Sequence, residues 1–378
     1  MFSNKRILLT SRPENVPLAS HFTKDDSEVI DQASLKDGQI LVRTYYLSLD
    51  PYLIMPMGKA GVHGDVVPQN ASLKLSQFKD AWNVTNLHEL FGGRGVGRVL
   101  ASKHSSVSVG DLVAADWKWQ EYAIVDVNDE LTFEKLERDI FNNHDNENHS
   151  APLSNALGVL SVSGSHALYG FNFVKPREQV KGKTIVISAA AGNIGIIVGQ
   201  VAKIHGMRVV GVAGGADKCH FLLNSLSYDA VVDYKKANNN LQLLIQQIRE
   251  ACPNGIDAYY DNVGGLITEA VDQNLNENAR VYVCGAISTY ASGGQVTITE
   301  KSAKIYEQKN IAAQTCMTAD YITKIPEARR QLFEWMKEGK LKAVEWIVEG
   351  IENTPLAFEQ MYQGKNLGKS IVKVFDEK

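Results

Sequence analysis

The stretch "SAAAGNIGIIVGQ" (188–200) decides the fold. It follows "KTIVISAA" (183–190), a short β-branched run of strand character, and it opens "GNIGIIVGQVAKIHG" (192–206), whose apolar spacing is helical. Its glycines read G-x-x-G-x-x-x-G. Against the dinucleotide-turn pattern G-x-G-x-x-G/A, Ala190 holds the first glycine place. Gly192 then allows the backbone to approach a pyrophosphate, and Gly195 lets the helix pack tightly on the strands. Asn193 and Ile194 begin that helix, where free N–H groups and the positive dipole end favour an anion. Glycines chosen only for helix–strand packing would spell the same turn, so its context has to decide.

The context is a βα alternation. "MRVVGVAG" is a second strand and "ADKCHFLLNSL" a helix. "DAVVDY", "NLQLLIQQIREAC", "IDAYYDNVGG", "LITEAVDQNL" and "ARVYVCGAIS" continue the rhythm. Strands separated by helices imply right-handed crossovers and a parallel, doubly wound sheet. Within such a unit an Asp or Glu about 20 residues beyond the turn would bond the ribose 2′-hydroxyl of NAD. Counting 21 residues from Gly192 reaches Ala213. Ala213 and Gly214 are small and neutral, which leaves room for a 2′-phosphate. Lys218 and Arg208 are the nearby cations that such a phosphate needs. A solvated lysine at a helix start is the plain alternative for Lys218. The residues favour NADP(H) over NAD.

The 378 residues allow two or three domains and a sizeable core. Lys and Arg total 39 against 43 Asp and Glu, a net charge of −4 that speaks against nucleic acid as a partner. Cys219, Cys252, Cys284 and Cys316 include no CxxC pair, so neither a zinc ribbon nor a dithiol redox motif is expected, and the thiols fit a reducing compartment. The N-terminal stretch has no signal-peptide core, and no run approaches the roughly 18 apolar residues of a membrane span. The expectation is a soluble cytoplasmic protein with no membrane partner. His144 and His149 lie in a polar tract at 142–150 that reads as a solvated loop rather than a metal site. Before it, "KRILLTSR", "QILVRTYYLSLD" and "GRGVGRVLASKHSSVSVGDLVAAD" read as short strands joined by glycine turns, suited to a small barrel.

Taken in order, "LSLDPYLIMPMG" (47–58), "SAAAGNIGIIVGQVAK" (188–203), "YYDNVGG" (259–265), "CGAISTY" (284–290) and "NLGKSIVKV" (366–374) resemble the medium-chain dehydrogenase/reductase superfamily. The resemblance is narrower still to its zinc-independent branch of prostaglandin/leukotriene reductases and plant and fungal alkenal double-bond reductases. It implies an α/β protein with a GroES-like β-barrel catalytic domain built from both chain ends, 1–155 and 348–378, and an inserted Rossmann domain, 156–347. It also implies NADPH as hydride donor to the β-carbon of an α,β-unsaturated aldehyde or ketone. The G-H-E motif and four structural cysteines of the zinc dehydrogenases are absent from the sequence, so no metal is expected.

By the same resemblance Lys218 and Tyr234 match 2′-phosphate contacts, and Asn262 lies at a strand end near the cofactor. Cys284, Gly285 and Ala286 match the backbone beside the nicotinamide ribose, and Asn366 matches a further cofactor contact. Tyr52 and Tyr290 match aromatic residues of the substrate cleft; either could also be a buried ring with a satisfied hydroxyl. Relatives are often homodimers that extend the Rossmann sheet, and "SGGQVTI" (292–298) could belong to such an edge.

The chain departs from the family at two places. Leu53 and Ile54 follow "DPY" where the family often has "DPYMR", and "VSGSHALYG" (162–170) replaces "MPGLTAY", with His166 at the threonine position. His166 is either a new polar group in the cleft or a helix residue with a local hydrogen bond. Hydride addition makes an enolate, whose oxygen Tyr290 or Tyr52 could face as a donor. Two other functions fit the same residues: an NADPH:quinone oxidoreductase, and a catalytically silent NADPH-binding sensor or structural protein.

Overall fold

A computed structural model describes residues 1–58, 84–127, 133–141, 150–292, 296–316 and 322–377. His144 and His149 lie outside the described residues. The first strands are β1 (Phe2–Leu9), β2 (Phe22–Ile30), β3 (Gln39–Leu49), β4 (Glu89–Leu90), β5 (Arg94–Ser102), β6 (Leu112–Asp116), β7 (Tyr122–Asp126) and β8 (Glu134–Lys135). Then come β9 (Thr184–Ser188), β10 (Arg208–Ala213), β11 (Ala230–Asp233), β12 (Ile256–Asp261), β13 (Leu275–Val283) and β14 (Ala312–Thr315). The chain ends with β15 (Glu345–Glu349) and β16 (Lys369–Lys373).

Two compact units result, one of residues 1–161 and 345–378, the other of residues 162–344. In the first, β16 pairs antiparallel with β3, so the chain's end completes a sheet begun near its start, in the order β15-β16-β3-β5-β6-β8. Large rings fill its core. Phe91 packs edge-on against Trp119 with centroids 5.0 Å apart, and Trp119 against Phe358 at 5.4 Å. Both Leu53 and Ile54 are buried, at 2% and 3% exposure, and Leu53 joins this core. That burial is the physical reason an apolar pair follows Tyr52, since an arginine there would lose its hydration.

The second unit holds a six-stranded, wholly parallel sheet in the order β11-β10-β9-β12-β13-β14. Helices on its faces bury β9 along its whole length, which is why "TIVIS" has no polar alternation. The chain runs outward from β9 to β11, then returns to β12 on the other side. The crevice outside the carboxyl ends of β9 and β12 is therefore the topological switch point, where open α/β sheets bind ligands.

The turn from β9 into the helix Asn193–Ile204 is built on close contact. Ala189 sits in the left-handed region, with φ of 47°, and its carbonyl accepts from Gly192 N–H at 2.9 Å. A Cβ on Gly195 would stand 2.5 Å from the Ala189 oxygen and 2.7 Å from the Ala190 Cα. Both are backbone atoms that cannot swing aside. One helical turn on, Gly199 leaves space for the Tyr228 hydroxyl, which donates to the Gly195 carbonyl at 2.9 Å.

His166 lies on the helix Val162–Val174 and is buried against β13. Its Nε2 is 3.1 Å from the Tyr282 hydroxyl, and its Nδ1 is 3.8 Å from the Cys316 sulfur. These partners lie 116 and 150 residues away in sequence. Burial lowers the imidazole pKa from 6.5 to about 4.

Two predictions follow from these contacts. Gly195→Ala should cost about 1–3 kcal/mol through overpacking, read as a lower melting temperature; an unchanged melt would show that the turn can relax. The unfolded chain takes up the His166 proton below pH 6.5 while the folded chain refuses it until about pH 4. Stability linked to His166 is thus present above pH 6.5 and falls by about 3 kcal/mol as pH drops through that window. Asp272, whose carboxyl burial raises to about 6, acts with the opposite sign but is common to parent and variant. His166→Gln should therefore flatten the acid side of the melting-temperature curve, and parallel curves would refute the assignment.

Candidate active site

The carboxyl edge of the parallel sheet gathers most of the candidate residues. Ala190 and Gly192 follow β9, Gly214 follows β10, Tyr234 follows β11, Asn262 follows β12, and Cys284, Gly285 and Ala286 follow β13. Asn193, Ile194 and Gly195 form the first turn of the helix behind β9, so their N–H groups lie at its open, positive end.

Asp261 fixes the middle of this edge. Its buried carboxylate accepts the Ser188 hydroxyl at 2.9 Å, the Tyr259 hydroxyl at 2.8 Å, and the N–H groups of Val263 and Gly264 at 3.0 and 3.1 Å. The Ser188 oxygen in turn accepts from Asn262 N–H at 2.7 Å, while the Asn262 amide donates to the Ser188 carbonyl at 2.7 Å. The ends of β9 and β12 are so locked together. Neither Ser188 nor Asp261 was singled out from sequence; the Asp before the Asn of "YYDNVGG" was the available signal.

The end of β10 is closely covered by residues that follow β11. A Cβ on Gly214 would meet the Tyr234 ring at 2.8 Å and the Lys235 Cε at 3.0 Å. Lys218, on the helix Ala216–Ser225, is half-buried. Its pKa is lowered, first by burial and then by the charge of Lys235. The two lysines therefore lie close enough to repel each other. Asp233 holds the loops around them, accepting from Gly215 N–H at 2.9 Å and Lys235 N–H at 3.2 Å. Lys235 was the residue sequence reasoning missed, although it adjoins Tyr234. Arg208 is a correction. It begins β10, about 17 Å of extended chain from Ala213, and donates to the Ala251 carbonyl at 2.9 Å. Strand direction carries it to the opposite edge of the sheet.

Beyond β13, the Tyr290 hydroxyl accepts the Ala286 N–H at 3.1 Å, which leaves its own proton to be donated. Burial pushes its pKa up to about 12, so it stays protonated at neutral pH. Tyr52 and Asn366 belong to the other unit. Tyr52 stands in the 3₁₀ segment Pro51–Met57, partly packed on the aromatic core, and the Asn366 amide donates to the Gly368 carbonyl at 3.1 Å. Among the described residues no three His, Cys, Asp or Glu side chains come together as a metal site would require.

The sequence matches the family model for the zinc-binding dehydrogenases over residues 193–338 and that for the N-terminal domain of oxidoreductases over residues 5–74. It is 33% identical to the NADPH-dependent curcumin reductase of Escherichia coli, covering 98% of this chain and 97% of that protein. It is 34% identical to (+)-pulegone reductase of Mentha piperita, covering 90% and 89%. The structure is similar to that of CurA from Vibrio vulnificus in complex with NADPH, with a TM-score of 0.80, 32% identity and coverage of 98% and 99%. With a GroES-like domain and a Rossmann domain in one chain, it belongs to the medium-chain dehydrogenase/reductase family, in the branch that holds the NADPH-dependent double-bond reductases.

Proposed function

We propose that this chain is an NADPH-dependent reductase of conjugated carbonyl compounds, α,β-unsaturated aldehydes and ketones. The observation that carries the reading is the end of β10. Ala213 and Gly214 put no carboxylate there, the Tyr234 ring and Lys235 pack against Gly214, and Lys235 lies close enough to Lys218 to lower its pKa. A 2′-phosphate fits this donor set, since it would satisfy both ammonium groups and relieve their mutual repulsion. Curcumin and pulegone, the compounds named in the two relatives, are both conjugated ketones.

In this reading the residue 162–344 unit holds the cofactor. The first turn of the helix Asn193–Ile204 takes the pyrophosphate, with Ala190, Gly192 and Gly195 keeping the approach open. Lys218, Lys235 and Tyr234 take the 2′-phosphate. Asn262 and the Cys284–Ala286 backbone line the nicotinamide side. The bound cofactor supplies the hydride. Tyr290 supplies a proton-bearing hydroxyl to the substrate carbonyl oxygen as negative charge develops there. Its bond from Ala286 holds that hydroxyl in place. The residue 1–161 and 345–378 unit is the substrate-binding, catalytic domain and contributes Tyr52. The enzyme works without zinc, in the cytoplasm, as a homodimer. Support for these last points is the absence of a zinc-ligand pattern, the four unbridged thiols, and the exposed sheet edge at β14.

Purified protein should consume NADPH with a 2-alkenal or an enone, and turnover restricted to quinones would replace this reading with quinone reduction. Binding of NADPH without turnover of any acceptor would indicate a silent cofactor-binding protein. Lys218→Ala and Lys235→Ala should each raise the KM for NADPH about tenfold while sparing NADH. Equal losses with both cofactors would remove the phosphate role. Tyr290→Phe should lower kcat with little change in the NADPH KM, and a pure KM effect would assign Tyr290 to binding alone.

A further inference from the structure

We propose that Cys284 and Cys316 are the site of a reversible intrachain disulfide that displaces the Gly285–Ala286 segment. The two cysteines are 32 positions apart in sequence yet next to each other in the sheet. Val283 pairs with Thr315 in the parallel register of β13 and β14, and the Cys316 N–H donates to the Val283 carbonyl at 2.8 Å. The next residues along both strands are the two cysteines. Neighbouring positions on paired strands stand about 4.8 Å apart, inside the range of about 4.4–6.8 Å between Cα atoms that a disulfide spans.

Both sulfurs also point to one face. Tyr282 and Gln314, two residues back on each strand, pair in register. His166 touches the Tyr282 hydroxyl through Nε2 and the Cys316 sulfur through Nδ1. The Tyr260 hydroxyl, which donates to the His166 carbonyl at 3.3 Å, also pairs with the Cys284 thiol. Cys284 and Cys316 thus share the face covered by the helix Val162–Val174, and both are half-buried. Cys252, by contrast, is buried at the C-terminal end of the helix Leu241–Ala251, and Cys219 lies on the helix after β10.

The co-reactant is a hydroperoxide. His166 is held neutral and its Nδ1, 3.8 Å from the sulfur, orients the Cys316 thiol, whose proton leaves with the departing peroxide oxygen. The Cys316 sulfur attacks one peroxide oxygen, the O–O bond breaks, and a sulfenic acid and an alcohol or water form. Cys284, whose thiol burial holds protonated, is the slower nucleophile and resolves. Its sulfur attacks the Cys316 sulfur, the S–O bond breaks, and hydroxide leaves with the Cys284 proton as water. Two electrons pass from the sulfurs to the peroxide, and a dithiol reverses the step. Closing the bond draws the two Cβ atoms to about 3.8 Å, a movement of the order of 1 Å at the start of Gly285–Ala286. That coupling rests on the cofactor reading above; the crosslink does not.

The test treats full-length protein with hydrogen peroxide, blocks remaining thiols, and maps tryptic peptides by mass. The expected product joins peptides 281–301 and 310–324, two hydrogens lighter than their sum, and disappears with dithiothreitol. NADPH turnover, or NADPH binding by fluorescence if no acceptor is turned over, should fall about tenfold or more in step with the crosslink. Dithiothreitol should restore it, and Cys316→Ser should keep its activity through the same treatment. Independent alkylation of the two cysteines overturns the proposal. So does equal inactivation of Cys316→Ser. A crosslink that leaves cofactor binding untouched overturns the coupling to Gly285–Ala286.

Discussion

The approach of Gly195 to the Ala189 carbonyl is the contact on which the rest of the site depends. It sets how close the helix Asn193–Ile204 stands to the end of β9. A larger side chain would push the helix away and carry its first-turn N–H groups with it. Those groups can gather around an anion only if the turn before them is tight, and the left-handed Ala189 keeps it tight at some backbone cost. Tyr228 secures the arrangement from the far side, because its hydroxyl reaches the Gly195 carbonyl only through the space left by Gly199.

A second constraint acts along the sheet edge. Parallel strands end with unpaired backbone groups, and at the switch point these must be satisfied without filling the crevice. Asp261 does this by taking hydrogen bonds from Ser188, Tyr259, Val263 and Gly264 at once. A buried carboxylate with so many donors stabilises both loops that leave β9 and β12. Asn262 is thereby turned toward Ser188, and the segment after β13 is set by Cys284 and Gly285 donating to the Asp261 carbonyl at 2.7 and 3.1 Å.

Much of this was legible in the sequence because it is local. The β-branched run, the glycine spacing and the apolar period of 192–206 are properties of neighbouring residues, and they become β9, its turn and its helix. Lys218 was reached from its place after Gly214 and Tyr234 through resemblance; the structure packs the Tyr234 ring against Gly214 and sets Lys235 close enough to Lys218 to lower its pKa. What sequence could not give are pairings made across the fold. Lys235 matters because β11 ends beside β10, and Asp261 because β12 lies beside β9. His166 lies on a helix, but its partner Tyr282 is supplied by a strand more than a hundred residues away. Arg208 was misplaced for a different reason: five residues are a short count in sequence and a full strand length in space.

The lysine pair also bears on how a site can distinguish two cofactors that differ by one phosphate. A single exposed lysine would attract the phosphate but would cost little when the site is empty, because water screens it. Here Lys218 is half-buried, and its pKa is lowered first by burial and then by the charge of Lys235, so the two ammonium groups repel each other. In the proposed reading a 2′-phosphate would offset that repulsion and add charge-assisted hydrogen bonds, while a 2′-hydroxyl would do neither. Ala213 and Gly214 contribute by adding nothing: a carboxylate at either position would neutralise the lysines in advance, and the preference would pass to the hydroxyl.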